Sequence, residues 1–221
     1  MESRKFFTEE LSRLRHDILE MATRVEENLG KALAALKTRN SDLANEVRVN
    51  DTQIDLLQVK IENDAAILIA TQQPVARDLR ELVTIFKLTT SIERIGDHAV
   101  HLARAAKKLA KSEDASFRVQ ENLEKMAETG QKMLRAAASA FMEQDVNAAR
   151  TAAAMDDKID TEHKELTEKI LKVMKKNPDK VKNAVQILLT SNQLERLGDH
   201  ITNICEAIIY MIEGKHEELN E

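Results

Sequence analysis

The chain has 221 residues, 43% hydrophobic, 32% charged and 3% aromatic, with five glycines, two prolines and no tryptophan; helix formers dominate, and an all-α protein is predicted. Its formal net charge of −5 comes from 33 basic and 38 acidic residues mixed along the sequence. No basic block marks a nucleic-acid footprint, and the longest apolar run, AAILIA from Ala65, is too short to span a bilayer. Cys205 is the only cysteine, which excludes an internal disulfide and fits a reducing compartment; its helical phase places it on an apolar face.

Apolar residues recur at spacings of three and four through most of the chain. The first helix carries Leu11, Leu14, Ile18, Met21, Val25, Leu29, Ala32 and Leu36, and it stops at TRNSD, where Ser41 suits an N-cap. The second carries Leu43, Val47, Asn50, Ile54, Leu57, Ile61, Ala65 and Leu68. After TQQP, with Pro74 suited to a first helical turn, the third carries Leu79, Val83, Phe86, Ile92, Gly96, Ala99 and Ala103. The polar interval KSEDAS follows. A fourth helix carries Val119, Leu123, Met126, Gly130, Met133 and Ala137, and a fifth carries Ile159, Leu166, Ile170 and Val173 up to Asn177-Pro178. The sixth carries Val181, Val185, Leu188, Leu194, Gly198, Ile201, Cys205 and Ile208.

Long periodic helices with short connections imply antiparallel packing. The third and sixth helices contain near-identical stretches, ERIGDH from Glu93 and ERLGDH from Glu195. The chain therefore reads as an internal duplication: two tandem three-helix bundles, residues 1–112 and 113–221, with a boundary near 111–117.

Each motif places like charges at i and i+4 beside a glycine, and both choices cost stability. A second acidic pair precedes each motif: Asp51 with Asp55, and Asp156 with Asp160. The first unit's pairs are centred on residues 53 and 95, whose midpoint is 74, the proline of the connection; the second unit's midpoint falls between Asn177 and Pro178. Equal distance from a turn means equal height on an antiparallel hairpin, so the four acids of each unit should lie level. At about 100° per residue, both pairs flank their apolar stripe on the same angular side. The two flanks then either converge on one groove or both turn away, and the sequence leaves both open.

Converging carboxylates would repel and raise one another's pKa values unless a cation with hard oxygen preferences, such as magnesium, manganese, calcium or iron, relieved them. The plainer alternative is that the acids pair with nearby Arg and Lys. Gly96 and Gly198 fit close helix contact in either case. His98 and His200 lie about 100° beyond the aspartates, which suggests the surface or a position behind the ligands, and His101 and Asn203 suggest solvent. The Glu-x-x-His pairs of di-iron enzymes are missing, apart from a lone Glu213–His216 broken by Gly214. No nucleophile triad or glycine-rich phosphate loop presents itself. A non-enzymatic helical regulator is expected ahead of a structural spacer.

PVARDLRELVTIFKLTTSIERIGDHA and SNQLERLGDHITNICEAI carry a specific likeness: from about residue 8 to 214 the chain resembles the PhoU family of bacterial phosphate-transport accessory proteins. The resemblance implies two three-helix bundles, a homodimer, cytoplasmic location, no catalytic activity and no membrane insertion. It implies metal clusters, iron in some members, on Asp51, Asp55, Glu93 and Asp97 and on Asp156, Asp160, Glu195 and Asp199. It further implies negative regulation of the phosphate-starvation response, with the phosphate ABC transporter's ATPase subunit and a phosphate-sensing histidine kinase as partners. A metal-binding adaptor or structural helical protein for another transporter is the alternative.

Overall fold

A computed structural model describes residues 2–110 and 120–220. Six long helices and one short one follow in order: α1 Glu2–Thr38, α2 Ser41–Gln72, α3 Ala76–Ala110, α4 Gln120–Glu143, α5 Val146–Ala153, α6 Asp156–Lys176 and α7 Val181–Glu213. A 3₁₀ turn, Pro178–Lys180, joins α6 to α7. The described residues contain no strand. The expected boundary at 111–117, and Val119 of the expected fourth helix, lie outside the described residues.

Polar ties fix the directions in the first unit. Arg13 meets Asp64 at 3.6 Å and Lys31 meets Glu46 at 3.6 Å, so α2 runs back along α1. Arg4 meets Asp78 at 2.6 Å and Arg15 donates from Nε and Nη2 to both carboxylate oxygens of Glu81, so α3 runs forward beside α1. Glu81 is only 3% exposed, and its charge is balanced by that two-pronged contact. The same up-down-up order recurs in α4, α6 and α7.

The two units pack through two helix pairs. Thr84 Oγ donates to the Ala207 carbonyl at 3.5 Å, and His98 Nδ1 meets Gln193 Oε1 at 3.0 Å. Numbering rises on α3 as it falls on α7, so the pair is antiparallel. Lys37 reaches Glu124 at 3.4 Å and Glu128 at 3.1 Å, while Arg135 reaches back to Glu26; α1 and α4 are antiparallel too. The halves thus face each other about an approximate twofold axis. The buried apolar core runs continuously through both, from Leu14, Ile18 and Met21 to Ile201, Cys205 and Ile208.

Burial on two sides explains where the expected stripe of α3 is displaced. Leu79 and Val83 are partly exposed, as is Val185 on α7, while Leu82, Ile85, Leu88, Ile92 and Ile95 fill the core. Because α3 touches α1 and α2 on one side and α7 on the other, its apolar face is wider than a single-sided stripe. The α5 turn of helix arises because Asp145 accepts from the Asn147 and Ala148 amides and caps a new start after Glu143. Helix boundaries also differ at the first two connections. Ser41 is the first residue of α2; the cap is Asn40, whose side chain accepts from the Asp42 amide at 2.8 Å and the Leu43 amide at 3.3 Å. Pro74 lies in the connection before α3 begins, and Gln73 closes α2 in the left-handed region at φ 47°.

Asn40→Ala should therefore lower unfolding stability by about 1 kcal/mol, whereas Ser41→Ala should change it by much less. Chemical denaturation of the two variants separates them, and an equal loss in both would show that the cap is misassigned.

Candidate functional site

The four acids of each unit come together in one groove between neighbouring helices. In the first, Asp51 and Asp55 project from α2 toward Glu93 and Asp97 on α3, and the charges reinforce one another. Burial pushes the Asp51 carboxyl up to about 6, with Asp55, Asp97 and Glu93 adding to the rise and Arg104 opposing it. Burial also raises Asp55, helped by Asp97, and raises Glu93, where Asp97 adds and Arg94 opposes. Asp156 and Asp160 of α6 meet Glu195 and Asp199 of α7 in the same way. Asp156 is 6% exposed, and burial with the charges of Asp160, Asp199 and Glu195 pushes it up to about 7. Asp160 and Asp199 are raised as well, each first by burial and then by a neighbouring carboxylate. The converging geometry is the one the structure adopts.

The motif glycines make that geometry possible. A Cβ built on Gly96 would stand 3.1 Å from Asp51 Oδ1, and one built on Gly198 would overlap Asp156 Oδ1 outright. The hydrogen side of each glycine is the floor on which the facing aspartate rests. Close helix contact is thus real, but the group that uses the space is a carboxylate rather than a backbone.

Arg and Lys pairing accounts for only part of the charge. Among the described residues, close ion pairs reach these acids only from Arg94, at 3.6 Å to Glu93 and 3.4 Å to Asp97. Neutral donors supply the second cluster: Thr202 Oγ to Asp156 Oδ2 at 3.3 Å, Asn192 to Glu195 at 3.3 Å and Asn220 to Asp199 at 3.2 Å. Asp156 Oδ1 is buried with no hydrogen-bond partner. Thr202 was readable in principle, since it sits four residues after Gly198 on the same helix face; Val100 takes that place in the first unit.

All eight side chains offer carboxylate oxygens, the chemistry of a hard-cation site, although the unpartnered Asp156 Oδ1 lies against Gly198. Among the described residues, however, no three acidic, His or Cys side chains are drawn tightly enough around one point to make a finished metal shell. Arg94 holds two of the first cluster's acids aside, and Asp55 and Asp160 stand exposed. The residues fit by type and placement, and closing around an ion requires their side chains to turn inward.

Of the two positions expected for His98, the surface or behind the ligands, the surface is excluded. It is 6% exposed, stacked 5.4 Å from its counterpart His200 across the α3–α7 contact, and burial holds it down at about 4. His200 is half-buried and also lowered by burial, with Arg196 adding. His101 and Asn203 are exposed. Cys205 is buried and its thiol is pushed up to about 12, mainly by burial, so it is no nucleophile at neutral pH.

Fold and site together define a class: a duplicated helical-bundle protein with one acidic groove per half, built without a catalytic nucleophile–base pair on those grooves. The PhoU domain model matches residues 18–106 and again 123–208. The chain belongs to the PhoU family. It is 34% identical over 99% of its length to the whole of a phosphate-specific transport system accessory protein PhoU homolog of Clostridium acetobutylicum. It is 33% identical over 95% of its length to 90% of a homolog of the same name, number 1, of Thermotoga maritima. The crystal structure of PhoU from Pseudomonas aeruginosa superposes with a TM-score of 0.90 at 33% identity, covering 95% of this chain and all of that one. The phosphate transport system regulatory protein PhoU from Streptococcus pneumoniae gives 0.87 at 31% identity, covering 96% and 99%.

Two predictions come from this site. Gly198→Ala should destabilise the protein by about 1–3 kcal/mol, the usual cost of overpacking, and Gly96→Ala should cost clearly less, because Asp51 needs to yield only slightly. Thermal unfolding of both variants tests the order. The second concerns pH. A carboxyl raised in the folded chain keeps a proton that the unfolded chain has lost, so its contribution falls as pH rises from about 4 through about 7 and is least favourable above that. Without added metal, Asp156→Asn should raise stability at about pH 8 by on the order of 1 kcal/mol and flatten the decline between about pH 5 and pH 8. A parallel curve for variant and wild type would refute it.

Proposed function

We propose that this chain is a non-enzymatic accessory protein of a phosphate-specific transport system and a negative regulator of the phosphate-starvation response. The observation that carries the reading is the end-to-end relationship with relatives named for that system, which spans both halves of the chain. In this reading the protein acts in the cytoplasm as a homodimer, on the transporter's ATPase subunit and on a phosphate-sensing histidine kinase. Among the described residues no helix is long and apolar enough to cross a membrane, so contact with the transporter runs through a partner surface.

The two halves, divided within 111–117, each contribute one cation site in this proposal: Asp51, Asp55, Glu93 and Asp97, and Asp156, Asp160, Glu195 and Asp199. A bound hard cation, iron, manganese, magnesium or calcium, would supply the positive charge that offsets carboxylate repulsion. Glu93 and Asp97 would leave Arg94, and Asp156 would turn its carboxylate off Gly198 toward the ion. Drawing α2 to α3, and α6 to α7, these residues then set the outer shape of each bundle. A regulator needs unequal affinity for two states of its partner, since equal affinity shifts no equilibrium.

Deleting the gene should derepress a phosphate-starvation reporter in high phosphate. The wild-type protein should restore repression, and elemental analysis of it should find metal that Glu93→Gln/Asp97→Asn and Glu195→Gln/Asp199→Asn each reduce by about half. A reporter that stays silent in a host with no second copy would reject the regulatory assignment. Unchanged metal content in both variants would reject the sites.

A further inference from the structure

We propose that residues 214–220 form a strap that ends on Asp199 of the second carboxylate cluster and is released when a hard cation binds there, so that the two duplicated clusters respond differently to the same ion. The inference rests on the cation reading above.

The strap begins where α7 ends. Gly214 adopts φ 72°, its amide donates to the Tyr210 carbonyl at 2.9 Å, and the chain turns back on itself. The His216 ring stacks on Tyr210 at 4.3 Å with 12° between planes. The Leu219 amide donates to Glu206 Oε1 at 2.8 Å while its side chain packs against the core. Asn220 Nδ2 donates to Asp199 Oδ1 at 3.2 Å. Positions 216, 219 and 220 thus meet 210, 206 and 199, and the segment retraces α7 until it reaches the cluster. Arg150 on α5 clamps it from the side, holding Glu217 at 2.8 Å and Glu213 at 3.5 Å.

Strap closure and cation binding compete for one atom. Asn220 turns an N–H toward Asp199 Oδ1, placing positive hydrogen where a cation would sit. In the same cluster Asp156 is nine-tenths buried, with Oδ1 unpartnered against Gly198. Each contact holding the strap is individually weak, its one surface ion pair, Arg150–Glu217, included, whereas ordering seven residues costs backbone entropy. A ligand that excludes the closed state shifts the balance toward the open one. By linkage the effect is reciprocal: the closed strap lowers cation affinity by the factor with which the cation opens it. Release also removes one wall of a surface cavity of about 640 Å³ where His216 and Glu217 face Phe86, Lys87, Ser91 and Ala207. The first cluster has no such cover among the described residues; Asp97 is held by Arg94 on its own helix.

The chain provides its own reporter. Tyr210 is the only tyrosine and there is no tryptophan, so tyrosine emission reports the strap's stacked ring alone. Calcium chloride, and separately magnesium chloride, should be titrated into the full chain with emission and calorimetry followed together. We expect emission to change as the second site fills, to stay flat in Asp160→Asn/Glu195→Gln, and to persist in Asp55→Asn/Glu93→Gln. Arg150→Ala and Asn220→Ala should each tighten one of the two sites by about 3–10-fold and leave the other unchanged. Two-site binding with no Tyr210 response, or weaker binding in Asn220→Ala (the sign of Asn220 turning its carbonyl to the ion as a ligand), would overturn the strap while leaving the cation reading intact. Absence of any cation binding by calorimetry would overturn both.

Discussion

A carboxylate resting on a glycine organises each half of this molecule. Asp51 on Gly96 and Asp156 on Gly198 bring an acid from one helix onto the backbone of the next, at the level where four acids meet. The arrangement is costly three times over: a glycine inside a helix, like charges four residues apart, and desolvation of an ionised group. What offsets these costs is the continuous apolar core below. Val25 and Ile54 lie just under Gly96, and Ile159 just under Gly198, so the helices are held together by packing and the acids are carried along with them. Stability and the acidic grooves are thus opposed tendencies of one interface.

Much of this was legible in the residues, and the reasons are specific. Periodic apolar positions located all six long helices, because a period near 3.6 is hard to mistake over twenty or more residues. The equal distances of the acid pairs from Pro74 and from Asn177-Pro178 located both clusters, because an antiparallel hairpin converts sequence distance into height. Which way the flanks turned was not readable, since that choice depends on helix rotation and hence on what packs behind. The displaced stripe of α3 shows the same limit. Leu79 and Val83 look like core in a lone bundle, but contact with α7 redistributes burial around the helix.

Other features depended on partners far away in the chain. His98 had a phase off the core of its own unit, at the surface or behind the acids, and is buried where α7 lies across it. Asn220 carries no local signal that it would reach Asp199. The caps were missed for a smaller reason: Asn40 and Ser41 are both good cap residues, and which one serves is decided by a single peptide rotation.

The antiparallel meeting of α3 and α7 has a consequence for how the two grooves could have diverged. Three-helix chains pairing as identical copies about a twofold axis would make any change in one groove appear in the other. Joining the halves in one polypeptide keeps the paired geometry, with His98 still stacked on His200, but frees each half to carry its own substitutions. Thr202 donates to Asp156 where Val100 offers Asp51 nothing, and Asp156 is correspondingly the more deeply seated of the two. Joined in one chain, the two grooves share a frame while differing in the groups that touch their acids, Thr202 and Asn220 in one and Arg94 in the other.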